Sequence, residues 1–124
     1  MKKRILLIDD EELVVKSLSM LLRSTGYEVE VATTAEEALN KVKDIDLDLI
    51  ISDIRMPGAD GVETIKQIRA YLKDSNKDPI PEVLITGYAD LQKYNQAMEL
   101  KVADYLYKPF DNEDLLRIVK KVIG

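Results

Sequence analysis

The chain has 124 residues, 46% hydrophobic and 33% charged, with a net charge of −5 at pH 7. That is enough chain for one globular domain, taken as 1–124; it is too apolar for disorder and lacks the basic excess of a standalone nucleic-acid binder. There is no cysteine and no histidine, which excludes disulfides, thiolate or imidazole metal sites and the Ser-His-Asp triad, and leaves oxygen ligands for any metal, the chemistry of a hard cation such as Mg²⁺.

Short apolar runs alternate with segments of helical period. Ile5–Ile8 is the first predicted strand, too short for a signal peptide or a membrane span, so a cytoplasmic protein without membrane contact is expected. Asp9-Asp10-Glu11-Glu12 then places acids where a helix dipole favours them. The stripe Val14, Leu18, Leu21 and Leu22 follows, and Gly26 stands where a helix ends. Val29–Ala32 is the second strand. Thr34 caps a helix whose apolar face is Ala35, Ala38, Leu39 and Val42. Leu47–Ile51 is the third strand, and Val62, Ile65, Ile68 and Leu72 mark the third helix. Lys77–Pro81 reads as a loop, because proline cannot continue a helix. Val83–Ile85 is the fourth strand, and Leu91, Tyr94 and Met98 define the fourth helix. Tyr105–Tyr107 is the fifth strand, and Asp111 caps a last helix with Leu115, Ile118, Val119 and Val122 inward. Five strands alternating with five helices predict an α/β, doubly wound, five-stranded parallel sheet of flavodoxin-like (βα)5 topology, order 2-1-3-4-5. Ligands of such sheets bind beyond the strands' carboxyl ends, where the order reverses between the first and third strands.

The residues at those ends are chemically loaded. The first strand runs into Asp9 and Asp10, and the third ends at Ser52-Asp53. Three acids around one crevice repel each other unless a cation compensates, and Mg²⁺ suits such a site. Thr86 stands at the end of the fourth strand and Lys108 at the end of the fifth. Each has an ordinary alternative as a helix cap, turn residue or solvated lysine. Their joint placement is what suggests phosphoryl transfer. Gly58-Ala59-Asp60-Gly61 lacks the Gly-Lys-Ser/Thr ending of a phosphate-binding loop.

Four strings carry a family resemblance: Leu7-Ile8-Asp9-Asp10-Glu11, Ile51-Ser52-Asp53-Ile54-Arg55-Met56-Pro57-Gly58, Leu84-Ile85-Thr86-Gly87, and Asp104-Tyr105-Leu106-Tyr107-Lys108-Pro109-Phe110. In this order, end to end, the chain resembles the receiver domains of two-component response regulators. The resemblance implies a signalling switch that accepts a phosphoryl group on Asp53. It implies Mg²⁺ held by Asp10, Asp53 and the Arg55 carbonyl, with Asp9 acting through water. Thr86 and Lys108 would bind the phosphoryl oxygens, Thr86 and Tyr105 would form the switch, and the Lys108–Pro109 bond would be cis. Arg55 and Tyr88 would flank the phosphosite. Because the chain has no histidine, the donor would be a sensor histidine kinase or a histidine phosphotransferase. The recipient would be an output domain or partner protein, with a phosphorylation-dependent dimer among the assemblies allowed and no direct contact with nucleic acid. Enzymatic activity would be limited to self-phosphorylation from a donor and slow autodephosphorylation. The competing reading is an unphosphorylated pseudo-receiver, a constitutive protein-interaction module.

Overall fold

The computed structural model describes residues 2–54, 61–87 and 91–124, with side chains throughout these except at 91–94. In chain order the elements are β1 (Arg4–Ile8), α1 (Glu12–Ser24), β2 (Glu28–Ala32), α2 (Ala35–Asp44), β3 (Leu49–Asp53), α3 (Gly61–Asp74), β4 (Glu82–Thr86), α4 (Leu91–Glu99), β5 (Asp104–Tyr107) and α5 (Asn112–Ile123). All ladders are parallel and the sheet order is β2-β1-β3-β4-β5, as the alternation of segments predicts.

A parallel sheet must be covered on both faces, so its central strands are apolar throughout. Ile5, Leu6, Leu7 and Ile8 of β1 are all fully buried. Leu6, Ile8, Ile50 and Leu84 face Ala38 and Val42 of α2 and Ile65 and Ile68 of α3. Ile5, Leu7, Ile51 and Val83 face Leu18 and Leu22 of α1 and Leu115 and Val119 of α5. Each such aliphatic side chain contributes about 1.5–3 kcal/mol on burial. The third-helix stripe is buried as predicted, whereas α1 is rotated slightly: Val15 is inside, Val14 and Leu21 lie at its margin, and Leu13 and Met20 are exposed.

Caps follow the local chemistry. The Thr34 side chain accepts from the Glu37 N–H, while the Glu37 carboxylate accepts from Thr33 instead of closing the box. Asp111 and Asp114 form a full capping box on α5. Gly26 follows α1 with φ of 108°, a conformation open to glycine. α1 starts at Glu12 without a side-chain cap. The third strand begins at Leu49 rather than Leu47, because Asp48 is tied to Arg4: its N–H donates to the Arg4 carbonyl and its Oδ2 accepts from the Arg4 N–H, both at 2.8 Å. Arg4 also pairs with Glu28 at 3.0 Å, so charged residues hold the foot of the β1–β2–β3 ladder.

Candidate functional site

Asp9 directly follows β1, and its N–H continues the ladder to the Ala32 carbonyl at 3.1 Å. Asp53 is the last residue of β3 and sits opposite Ile85 of β4. Lys108 directly follows β5, and its N–H donates to the Thr86 carbonyl at 2.8 Å. The Lys108–Pro109 bond is cis. The sheet therefore delivers these side chains to one end, each where apolar sequence gives way to polar.

The contacts there are short. Lys108 Nζ lies 2.7 Å from Asp53 Oδ2. Asp9 is 1% exposed; its Oδ1 accepts from the Glu11 N–H at 3.0 Å. Its Oδ2 is buried without a hydrogen-bond partner among the described residues. Burial pushes the Asp9 carboxyl up to about 6, with the Asp53 and Asp10 charges adding to the effect and the Glu11 N–H and Lys108 opposing it. For Lys108, burial works against the charged form, but the Asp53 hydrogen bond and charge outweigh it and hold the ammonium above its ordinary value. The site thus has two buried carboxylates, one cation and an oxygen whose bonding capacity is unmet.

Such an oxygen-only donor set fits a hard divalent cation. The three acids share this end, the Asp53 and Asp10 charges both acting on Asp9, but their surroundings differ. Asp10 is exposed, where the chain turns into α1, and Asp53 is engaged by Lys108. Among the described residues no three acidic side chains form a metal-holding group. Arg55 and Tyr88 lie outside the described residues.

Thr86 is buried one residue beyond Ile85, the ladder partner of Asp53, and its hydroxyl donates to the Gly87 carbonyl at 3.1 Å. Tyr105 packs with the α2–α3 side of the core and donates its hydroxyl to the Ala97 carbonyl of α4 at 2.7 Å. It is thereby joined to α4.

Sequence reasoning missed Gly61. A Cβ there would lie 2.1 Å from the Asp53 carbonyl oxygen and 2.9 Å from the Ile54 Cα. The Gly61 N–H donates to the Ile54 carbonyl at 2.6 Å. Glycine lets α3 begin against the backbone that carries Asp53. The available signal was a glycine opening the helix after the acid-tipped strand.

A 2-1-3-4-5 parallel sheet with acids at the tips of β1 and β3 and a lysine after β5 defines a receiver domain. The chain belongs to the response regulator receiver domain family, whose sequence profile matches residues 5–120. It is 35% identical to the regulatory protein AtoC of Escherichia coli over 97% of this chain and 25% of that one. It is 33% identical to the transcriptional regulatory protein FixJ of Bradyrhizobium diazoefficiens over 98% of this chain and 57% of that one. The chain therefore spans only a quarter to little more than half of these relatives. Among solved structures, the Vibrio cholerae chemotaxis protein CheY4 superposes with a TM-score of 0.86 at 31% identity, over 98% of this chain and 99% of that one. No helix among the described residues is long and apolar enough to cross a membrane.

Proposed function

We propose that residues 1–124 form one receiver unit that is phosphorylated on Asp53 and passes that event to an output domain or partner protein. The observation that carries this is the Lys108–Asp53 contact at 2.7 Å beside the buried, unpartnered Oδ2 of Asp9. The ammonium offsets the charge of an incoming phosphoryl dianion, and the unmet acid oxygen beside it is a place for a cation that offsets the rest. In the proposed step an Asp53 oxygen attacks phosphorus. The new O–P bond replaces the donor's N–P bond, and the departing imidazole takes up a proton. A separate histidine kinase or histidine phosphotransferase supplies the group, since this chain has no histidine. Lys108 stays charged throughout, because its neighbours raise its pKa. Asp9, Asp10, Asp53 and the Arg55 carbonyl would hold Mg²⁺, which supplies further neutralisation of charge when bound.

The phosphoryl oxygens then require donors. Thr86 exchanges its bond to the Gly87 carbonyl for one to the phosphoryl group, and Tyr105 moves relative to α4. The face built from α4, β5 and α5 changes as a result. We place the protein in the cytoplasm, where such donors act. Asp53→Asn keeps the shape of the strand end and removes the nucleophile. Incubated with acetyl phosphate and Mg²⁺, the wild type should gain the mass of one phosphoryl group and the variant none. A gain on the variant would overturn the assignment.

A further inference from the structure

The opposite end of the sheet carries a second feature. Between the last turn of α3, the entry to β4 and the segment joining α4 to β5 lies an open basin of about 770 Å³. That volume is within the about 300–1,000 Å³ usual for small-molecule sites. Its lining includes Pro81 and Glu82 at the amino end of β4 and Ala103 just before β5. Glu82 at the basin and Ile85 opposite Asp53 are three residues apart on β4, so about 10 Å at strand rise separates the basin from the carboxylates.

The basin combines an apolar floor with a basic rim. Leu72, Ile80 and Leu100 supply the floor, with Pro79 and Pro81. Lys73, Lys77 and Lys101 stand on the rim, all exposed. Lys77 Nζ is engaged with the Tyr71 hydroxyl at 3.2 Å. Lys73 and Lys101 have no ion-pair partner among the described residues. In a chain of net charge −5, this concentration of cations favours an anion.

One wall is also preorganised. Arg69 binds the buried Glu82 through both carboxylate oxygens, at 2.6 and 2.8 Å, and donates to the Leu100 carbonyl at 2.8 Å. Glu82 offsets its charge, so the positive field comes from the lysines. The fixed guanidinium still has two of its five N–H groups unengaged among the described residues. A planar donor held by three bonds loses little freedom on meeting a carboxylate.

We propose that this basin binds a small amphipathic carboxylate, its apolar body on Leu72, Ile80 and Leu100 and its anionic head among Lys73, Lys101 and Arg69. Leu100 directly follows α4 and its carbonyl is held by Arg69, so the site adjoins the element that Tyr105 engages through Ala97. A ligand there would act on the signalling face from the end remote from Asp53.

The test uses ¹⁵N-labelled protein titrated with sodium decanoate below its micelle concentration. Saturable amide shifts should concentrate at Leu72, Lys73, Ile80, Leu100, Lys101 and Ala103. Decanol, with the same tail and no charge, should bind about tenfold more weakly. So should decanoate to Lys73→Glu/Lys101→Glu, whose exposed substitutions leave the spectrum folded. Shifts scattered over the surface, equal binding of decanol, or an unchanged affinity in the variant would each overturn the proposal. Silence with decanoate would also overturn it, and shifts of the same amides by an acidic peptide would then assign the basin to a protein partner instead.

Discussion

Asp9→Asn removes a charge that the fold holds at a cost. The carboxyl sits at about 6 against an ordinary 3.8, chiefly through desolvation. That displacement corresponds to about 3 kcal/mol at neutral pH. The folded state holds this proton more tightly than the unfolded chain does, so stability from this group is fully present below about pH 4. It is lost as pH rises through about 6 and is level above that. Asparagine keeps an acceptor for the Glu11 N–H and puts an amide where the unpartnered oxygen stood, next to Asp53. The variant should therefore be more stable than wild type by about 1–3 kcal/mol near pH 7.5, with the difference falling to about a third of that near pH 4.5. Urea midpoints measured across this range in chelator report it. An equal difference at both ends of the range would refute the argument, because the cost would then not be one of charge. Adding Mg²⁺ should stabilise the wild type by mass action and the variant less. Equal stabilisation would place the cation away from Asp9.

Three further substitutions probe the backbone and the switch. Gly61→Ala forces a Cβ into the Asp53 carbonyl and should cost about 1–3 kcal/mol in urea unfolding while slowing phosphorylation of Asp53. Gly87→Ala, with nothing among the described residues within 4 Å of the added carbon, should be close to neutral in the same unfolding assay; equal costs would mean that the close approach at Gly61 is not what matters. Tyr105→Ala loses its bond to the Ala97 carbonyl and should accept phosphate at nearly the normal rate. Its amide exchange over 91–124 should no longer respond to phosphorylation, and a normal response would remove Tyr105 from the switch.

The positions of the site residues were legible because each marks an abrupt change of character. Asp9, Asp53, Thr86 and Lys108 all end an apolar run, and in a parallel α/β sheet those ends share one rim. The difference between Asp9 and Asp10 was not legible: adjacent acids look equivalent in sequence, yet one is buried and the next exposed where the chain turns into α1. Gly61 was visible as a glycine opening the third helix, but its reason, the approach between α3 and the end of β3, is not local. Glu82 was hidden for the opposite reason. An acid heading an apolar strand looks like a solvent-exposed boundary, and only Arg69, thirteen positions earlier, explains its burial.

The uniform burial of β1 has one more consequence. Alternating polar and apolar residues normally tell a strand which way to lie, since a slip by one residue turns the greasy side outward. Ile5 to Ile8 give no such instruction, because either face of that run is equally at home in hydrocarbon. The alignment must come from the charged residues that bracket it. Arg4, fastened to Asp48 and Glu28, and Asp9, at the opposite end, act as stops on a ruler four residues long. Sliding the strand either way would draw one of those charges between the layers. The aspartate that helps make the carboxylate site thus also serves to set the chain's alignment.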